Sequence, residues 1–467
     1  MIAMTLAEIA EVVGGEVVGL GGTPDSDLDL LVTGAAFLDS REPVPGGLFV
    51  AFAGEHADGH DHAEAAVGGG AAAVLGSRPT GVPTVVVDDA QQALGTLAAH
   101  VLRGLRSAGG GLRVVGLTGS AGKTSTKDML GAVLADAGST VATHGSFNNE
   151  LGLPLTVLRA DLDTRFLVLE MGARGIGHIA ALCAIAPPDI ALVLNVGSAH
   201  LGEFGSQEAI ARAKGELVEA LGVGGVAVLN LDDPLVAAMS TRTRAPVRTF
   251  GRAVGADVRL SDVTTDDLGR VRFDVRHSTQ REHVRLQLLG EHQAVNAAAV
   301  AAVALLLGVG LDDIARSLEA LPSLSKWRLE LRERGDGLVV VNDAYNANPE
   351  SMAAALRTLA GIGARTGRTT VAVVGEMREL GDASTAEHAA VGRLAAELGI
   401  DRLVVIGEAA RAASETNDTA TFHATVEDAI ADVRNNVDGT AVVLVKASRA
   451  ARLERVAEAL LEEGIGL

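Results

Sequence analysis

Residues 114–129 read VVGLTGSAGKTSTKDM. An apolar, strand-like run ends in Thr-Gly-Ser-Ala-Gly-Lys-Thr and then opens a helix-like segment. A helix start leaves backbone N–H groups without partners, and small residues just before it let those groups close around a phosphate. A strict phosphate-loop template asks for glycine at 117, which is leucine; the glycines fall at 116, 119 and 122. The mechanism survives that shift. Thr118, Gly119, Ser120, Ala121, Gly122, Lys123, Thr124 and Ser125 form the expected nucleotide loop, with Lys123 reaching the β- and γ-phosphates and the Thr124 hydroxyl facing Mg²⁺. The alternative, an ordinary strand-to-helix turn, is disfavoured by the Gly-Lys-Thr-Ser run in this context. A loop of this kind belongs in an α/β fold with a parallel sheet.

At 467 residues the chain is long enough for two to four domains, and three blocks separate by texture. Residues 1–107 alternate short strand-like runs (GGLFVAFAG, PTVVVDD) with Ala-rich helical ones and end in RSAGGGLR. Residues 108–322 form a larger α/β region that includes VRFDVRHSTQREHVRLQLLG, whose alternation predicts antiparallel strands. Residues 323–467 carry four apolar runs, GLVVVNDA, TTVAVVGEM, RLVVIGE and AVVLVKAS, alternating with helices: a small, parallel, doubly wound sheet.

Composition removes several classes of function. A net charge of −20 repels a polyanionic backbone, and 2% aromatic residues leave few stacking platforms, so no nucleic-acid partner is expected. The longest apolar run, AAAVAAVALLLGVG, is too short and Ala-rich to span a bilayer and predicts a buried helix. The N-terminus lacks the basic flank of a signal peptide. A single cysteine, Cys183, excludes disulfides within the chain and suits a reducing compartment. A cytoplasmic protein without membrane association is the expectation.

Two further strands end in chemistry. RFLVLEMG places Glu170 at its carboxyl end; DIALVLNVGSAHLG places Asn195 at its end and His200 in the loop beyond. Ligands of open parallel sheets bind off the carboxyl ends of strands, so Thr124, Glu170 and His200 should meet on one edge. Hydroxyl, carboxylate and imidazole together make a plausible divalent-metal shell. Singly, Glu170 or His200 reads more readily as a solvated loop residue; all three falling at strand ends reverses that balance. Only five of the 39 basic residues are lysines: Lys123, Lys127, Lys214, Lys326 and Lys446. Lysine in such a chain marks positions where guanidinium cannot substitute. Lys214 borders the apolar stripe Ile210, Ala213, Leu217 and Leu221 of a helix, where a snorkelling lysine is the alternative.

These residues resemble the Mur ligase family, the ATP-dependent amide-bond ligases of peptidoglycan precursor synthesis. TGSAGKTS, EMG, NVGSAHL, ARAKGEL and GEHQAVNAAA resemble the family as a whole. PGGLFVAFAGEHADGHDHAEAA, SFNNELGLPLTVL, NDAYNANPESMAAAL and VVGEMRELG followed by His388 are similar to the branch that adds D-alanyl-D-alanine. Two departures stand out. KASR has Ala447 where glycine is usual, and KWRLE stands where Gly-Arg is common.

The resemblance implies an α/β fold in three domains: an N-terminal α/β domain for a UDP-linked substrate, a central P-loop-type ATPase domain with a mostly parallel sheet, and a C-terminal Rossmann-like, doubly wound domain that closes over the incoming amine. It implies ATP and Mg²⁺, with Lys123 and Thr124 on the triphosphate and Glu170 and His200 on the metal. Lys214 would be carbamylated by CO₂ to become a further anionic ligand. His292, Asn296, Arg328 and Asp343 would lie toward the nucleotide. Ser40, Arg41, Asn148 and Asn149 would face the UDP-linked peptide, and Tyr345, Asn346, Asn348 and Lys446 the D-alanyl-D-alanine. The substrates so implied are UDP-N-acetylmuramoyl-tripeptide and D-alanyl-D-alanine, joined by a monomer through an acyl phosphate. Rival readings are a sibling ligase, a folylpolyglutamate synthetase, or a nucleotide-gated binding protein without ligase activity. The Asp-Asn-Pro-Arg signature of diaminopimelate-adding relatives is absent, and DAYNANPESM stands instead.

Overall fold

The computed structural model describes residues 1–19, 27–54, 57–197, 204, 206–322 and 326–462. Among these residues the largest sheet has nine strands, in the order Gln280–Leu289, Arg270–His277, Val258–Thr265, Val247–Gly251, Val226–Asn230, Ile190–Val193, Arg113–Thr118, Phe166–Glu170 and Thr140–Ala142. The strands from Thr140–Ala142 to Val258–Thr265 pair in parallel, and the last three pair antiparallel. The difference follows from sequence texture. Phe166–Glu170 and Ile190–Val193 are buried throughout, as parallel strands covered on both faces must be. Along Gln280–Leu289 burial instead alternates over Val284, Leu286 and Leu288, the mark of a sheet with one face in water.

Two helical layers cover this sheet. On one face lie Met129, Leu130, Val133 and Leu134 of the helix Lys123–Ala137, together with the Ala-rich helix His292–Leu306. The apolar run expected to form a buried helix does so, its alanines allowing close approach to the sheet. On the other face lie Leu217 and Val218 with Leu97, Val101 and Leu105 of the helix Ala90–Ser107. That helix follows a five-stranded sheet ordered Glu16–Val18, Thr84–Val86, Ala73–Gly76, Leu48–Val50 and Ala36–Phe37. Its residues share one continuous core with both sheets.

The third sheet has six strands, ordered Glu330–Glu333, Val339–Asp343, Ala441–Lys446, Thr369–Val374, Arg402–Ile406 and Ala420–His423. All pairs are parallel except the first. The four runs read as strands are its four central members. The two edge strands were not legible: ELRE and ATFH are short and half-exposed, so neither shows strong apolar patterning. The architecture is thus α/β, with mostly parallel sheets. No helix among the described residues is long and apolar enough to cross a membrane.

Gly392 tests the packing of the third unit. A Cβ there would lie 2.0 Å from the Ala413 carbonyl oxygen and 2.3 Å from Thr416 Oγ1, so the helix Ser384–Glu397 meets the segment Glu408–Thr416 at backbone distance. Gly392→Ala should destabilise that unit by about 1–3 kcal/mol, the usual cost of overpacking. Calorimetry would read this as a lowered unfolding transition. An unshifted transition would mean that the two segments do not pack at this distance.

Candidate active site

The strand Arg113–Thr118 lies between Phe166–Glu170 and Ile190–Val193, so the ends of all three open on one edge of the sheet. The glycine-rich loop follows, and the helix Lys123–Ala137 begins directly behind it. Gly122 adopts φ +79°, a left-handed conformation, and a Cβ there would lie 2.6 Å from Asn296 Oδ1. Glycine is needed on both counts.

Asn195 clamps the loop from the neighbouring strand end. Its Oδ1 accepts the Ala121 N–H at 2.8 Å and its Nδ2 donates to the Ala121 carbonyl at 3.0 Å. Ser120 N–H donates to the Asn195 carbonyl (3.1 Å), and Gly197 N–H donates to Ser120 Oγ (2.9 Å). Lys123 Nζ folds back on the Gly119 carbonyl at 2.7 Å.

Glu170 is buried, and its carboxylate is held at both oxygens. Thr124 Oγ1 donates to Oε2 at 3.0 Å, and Asn148 Nδ2 donates to Oε1 at 2.8 Å. Glu170 N–H donates to Thr143 Oγ1 (3.0 Å), while Lys127 Nζ donates to the Thr143 carbonyl (2.7 Å) and is ion-paired with Asp128. Lys127 therefore holds the segment beside Glu170. Lys214, on the helix Gln207–Glu219, is 5% exposed, and no protein group among the described residues takes a hydrogen bond from it. Burial first, and the Lys123 charge second, push its pKa well below the ordinary lysine value. Both causes disfavour the protonated form of this amine.

The third sheet presents its own carboxyl edge to this assembly. Lys446 Nζ donates to Asp343 Oδ2 (2.6 Å) and to the Asn346 carbonyl (2.8 Å), a largely buried ion pair at the ends of adjacent strands. Asp343 Oδ1 accepts the Leu329 N–H at 3.1 Å. Asn348 caps the helix Pro349–Thr366, its Oδ1 accepting the Ser351 N–H at 2.8 Å. Arg328 lies over the Tyr345 ring, 4.4 Å from its centroid. His388 accepts the Met377 N–H on Nε2 (2.9 Å) and bonds the Ser384 carbonyl through Nδ1 (2.7 Å), so it fixes the turn that brings Glu379 to the site.

Between the two edges lies a cleft of about 770 Å³. Ser120 to Ser125, Asn148, Asn149, Glu170, Lys214, His292, Asn296, Arg328, Asp343, Tyr345, Asn346, Asn348 and Lys446 all line it. Thr118 and Gly119 lie behind the loop and do not. Ser40 and Arg41 also stand apart: Arg41 is exposed and paired with Asp39, and Leu38 is the nearby residue that reaches the cleft. His200 falls outside the described residues. Asn148, expected to face a peptide, has its amide on Glu170. Asn149 accepts the Gly152 N–H on Oδ1 at 3.0 Å, starting the next helix. Lys446, expected to contact a dipeptide, has its ammonium on Asp343 and the Asn346 carbonyl, and Asn348 has its side-chain oxygen on the Ser351 N–H. Sequence reading did not place Asn195, Ser146, Glu350 or Glu379 in the site. Only Asn195 had a signal, its place at a strand end; its partner Ala121 is 74 residues away.

The chemistry available is anion binding by the loop amides and Lys123, beside a pair of hard oxygen donors and a reactive amine. Gly122→Ala should weaken binding of a nucleoside triphosphate analogue by about tenfold or more, since a left-handed non-glycine residue costs on the order of 1–2 kcal/mol before the Asn296 clash is counted. Calorimetric titration would measure it, with far-ultraviolet dichroism as the check that folding is intact.

Three family profiles match the chain: Mur ligase family, catalytic domain, over residues 37–101; Mur ligase middle domain over 117–304; and Mur ligase, glutamate ligase domain, over 327–449. The chain is 46% identical to the UDP-N-acetylmuramoyl-tripeptide--D-alanyl-D-alanine ligase of Mycobacterium bovis, across 99% of this chain and 98% of that one. Among solved structures it is similar to MurF from Acinetobacter baumannii (TM-score 0.86, 32% identity, 99% of each chain). It is similar also to MurF ligase from Thermotoga maritima in complex with ADP (TM-score 0.79, 33% identity, 92% of this chain and 98% of that one). Matched in sequence and in fold along nearly its whole length, the chain belongs to the Mur ligase family.

Proposed function

We propose that this chain is the ATP-dependent ligase that joins D-alanyl-D-alanine to UDP-N-acetylmuramoyl-tripeptide, yielding ADP, phosphate and UDP-N-acetylmuramoyl-pentapeptide for peptidoglycan synthesis. The observation that carries it is the single cleft in which Lys123, Thr124, Glu170 and Lys214 face Asp343, Tyr345 and Asn346 across two sheet edges. The reading divides the chain into residues 1–107 for the UDP-linked substrate, with Ser40 and Arg41 toward the diphosphate, 108–322 for ATP, and 323–467 for the amine. The reading takes the working unit to be a monomer in the cytoplasm.

A carboxylate is a poor acyl donor and must be activated first. A carboxylate oxygen of the tripeptide attacks the γ-phosphorus of ATP; an O–P bond forms, the bond to ADP breaks, and an acyl phosphate results. The amine of D-alanyl-D-alanine, having lost a proton, attacks the acyl carbon. The C–N bond forms and inorganic phosphate leaves. Two anions must meet in line, so positioning and charge screening supply most of the rate. Lys123 screens the triphosphate, the loop amides hold it, and His292, Asn296 and Arg328 flank it. On the third sheet the Lys446–Asp343 pair holds the Asn346 carbonyl in place, while Tyr345 and Asn346 shape the amine pocket. Lys446 and Asn348 thus act on the dipeptide through the loop they hold.

The buried Thr124 hydroxyl and Glu170 carboxylate, 3.0 Å apart at the loop, fit Mg²⁺, which prefers hard oxygen donors and shares them with substrate phosphates. When bound there, the ion supplies charge neutralisation on the transferring phosphoryl group. Lys214 fits the same purpose after modification. The neutral form of its amine would add CO₂ and release a proton, giving a carbamate whose single negative charge is shared by two oxygens. Arginine cannot do this, because its guanidinium stays protonated.

Phosphate release should require ATP, UDP-N-acetylmuramoyl-tripeptide and D-alanyl-D-alanine together. Release without the dipeptide, or with a diamino acid in its place, would move the chain to a sibling activity or a nucleotide-gated role. Lys214→Arg should fold as the parent does yet lose about 10²-fold or more in kcat, the scale of one group that stabilises transition-state charge. Wild-type activity should fall in CO₂-depleted buffer and return with bicarbonate. A fully active Lys214→Arg enzyme would leave Lys214 as a structural cation.

A further inference from the structure

Ser146 Oγ and Tyr345 Oη lie 2.6 Å apart, a hydrogen bond between residues 199 positions apart in sequence. Ser146 belongs to the turn beyond the strand Thr140–Ala142 of the nine-stranded sheet. Tyr345 belongs to the turn beyond Val339–Asp343 of the six-stranded sheet. We propose that this bond makes Ser146 and Tyr345 positioning residues for phosphoryl transfer, tying the geometry of Glu170 to the docking of the third sheet's substrate turn. The proposal rests on the ligase reading given above.

Both ends are rigidly connected. On the third-sheet side, the Tyr345 ring lies under the Arg328 guanidinium, 4.4 Å from centroid to Cζ, and Tyr345 N–H donates to the Trp327 carbonyl at 3.2 Å. The hydroxyl therefore cannot shift without moving the segment that joins the two sheets. On the other side, Asn148 N–H donates to the Ser146 carbonyl at 2.7 Å, and the Asn148 carbonyl accepts the Gly172 N–H at 2.8 Å. The Asn148 side chain then donates to Glu170 Oε1. Gly172 leaves no slack: a Cβ there would lie 2.8 Å from Asn148 Oδ1. The path from Tyr345 to the Glu170 carboxylate thus runs through two hydrogen bonds and one tight turn. Without the hydroxyl pair, the turn 143–149 loses its tie to the third sheet, and the carboxylate is organised whether or not the amine site has docked. Such coupling would favour acyl-phosphate formation only when the water-excluding unit is in place.

Ser146→Ala, Tyr345→Phe and the double variant form a cycle that isolates the pair. Phosphate release is measured with all substrates saturating, and binding of a non-hydrolysable ATP analogue with Mg²⁺ is followed by fluorescence of Trp327, the sole tryptophan. Each single variant should lower kcat by roughly three- to tenfold, the factor of one net hydrogen bond. The Michaelis constant for the dipeptide should move less than about twofold on that basis. The double variant should be no slower than the slower single, and Ser146→Thr should recover most of the rate. Additive losses would overturn the proposal. So would a silent Ser146→Ala beside a Tyr345→Phe that raises only the dipeptide's Michaelis constant, which makes Tyr345 a pocket wall and no more. If the wild-type protein releases no phosphate with the dipeptide, the ligase reading fails, and the binding cycle still decides: non-additive changes in analogue affinity uphold the tie, additive ones refute it.

Discussion

A buried carboxylate at the end of a parallel strand is the element around which the site is arranged. Glu170 would be costly to bury with its oxygens unmatched. It is tolerated because Thr124 and Asn148 each donate to a different oxygen, while the backbone beside it is held by Thr143. These three partners come from separate segments: the two donors from the start of the phosphate-loop helix and from the turn after the neighbouring strand, and the acceptor Thr143 from just beyond that strand's end. Each was brought there by strand order, since Phe166–Glu170 sits between Arg113–Thr118 and Thr140–Ala142. Permuting those strands would leave the same residues without a site.

Charge is handled consistently throughout the cleft. The chain carries a net charge of −20, yet three of the cations that face the cleft are individually held, while Arg174 at its rim is exposed. Lys123 is folded onto the Gly119 carbonyl, Lys446 is locked to Asp343, and Arg328 lies on Tyr345. Lys214 differs from these, being buried near Lys123 with its charged form disfavoured. Preorganised cations lose little on meeting an anionic substrate, because no solvent shell or rotamer freedom must then be rearranged. Of the five lysines, four are placed by this logic or by structural need, Lys127 holding Thr143. Lys326 is exposed.

One departure from the family pattern, at Trp327, is met in space by the segment that follows the other. Trp327 occupies φ +62° and Leu329 φ +48°, left-handed conformations that non-glycine residues adopt at a cost. The Arg449 guanidinium lies 4.3 Å from the centre of the Trp327 ring, on the segment that follows Ala447. A cation–π contact of this kind contributes on the order of 0.5–2 kcal/mol, comparable to the strain of one left-handed residue. Trp327 can therefore stand where glycine is usual because its side chain has a partner that glycine would lack.

The chain's own sequence determined the local chemistry. The loop at 118–125, the strand ends at Glu170 and Asn195, the buried Ala-rich helix and the parallel third sheet all follow from periodicity, glycine placement and the apolar runs, which are short-range properties. Tertiary structure alone decided which polar atoms were already taken. Asn148 binds Glu170, Lys446 binds Asp343 and Ser146 meets Tyr345, although in sequence Asn148 and Lys446 look free to hold a substrate. Hydrogen bonds act over about 3 Å, whereas two of these partners are 103 and 199 residues apart along the chain, so no local pattern could encode them.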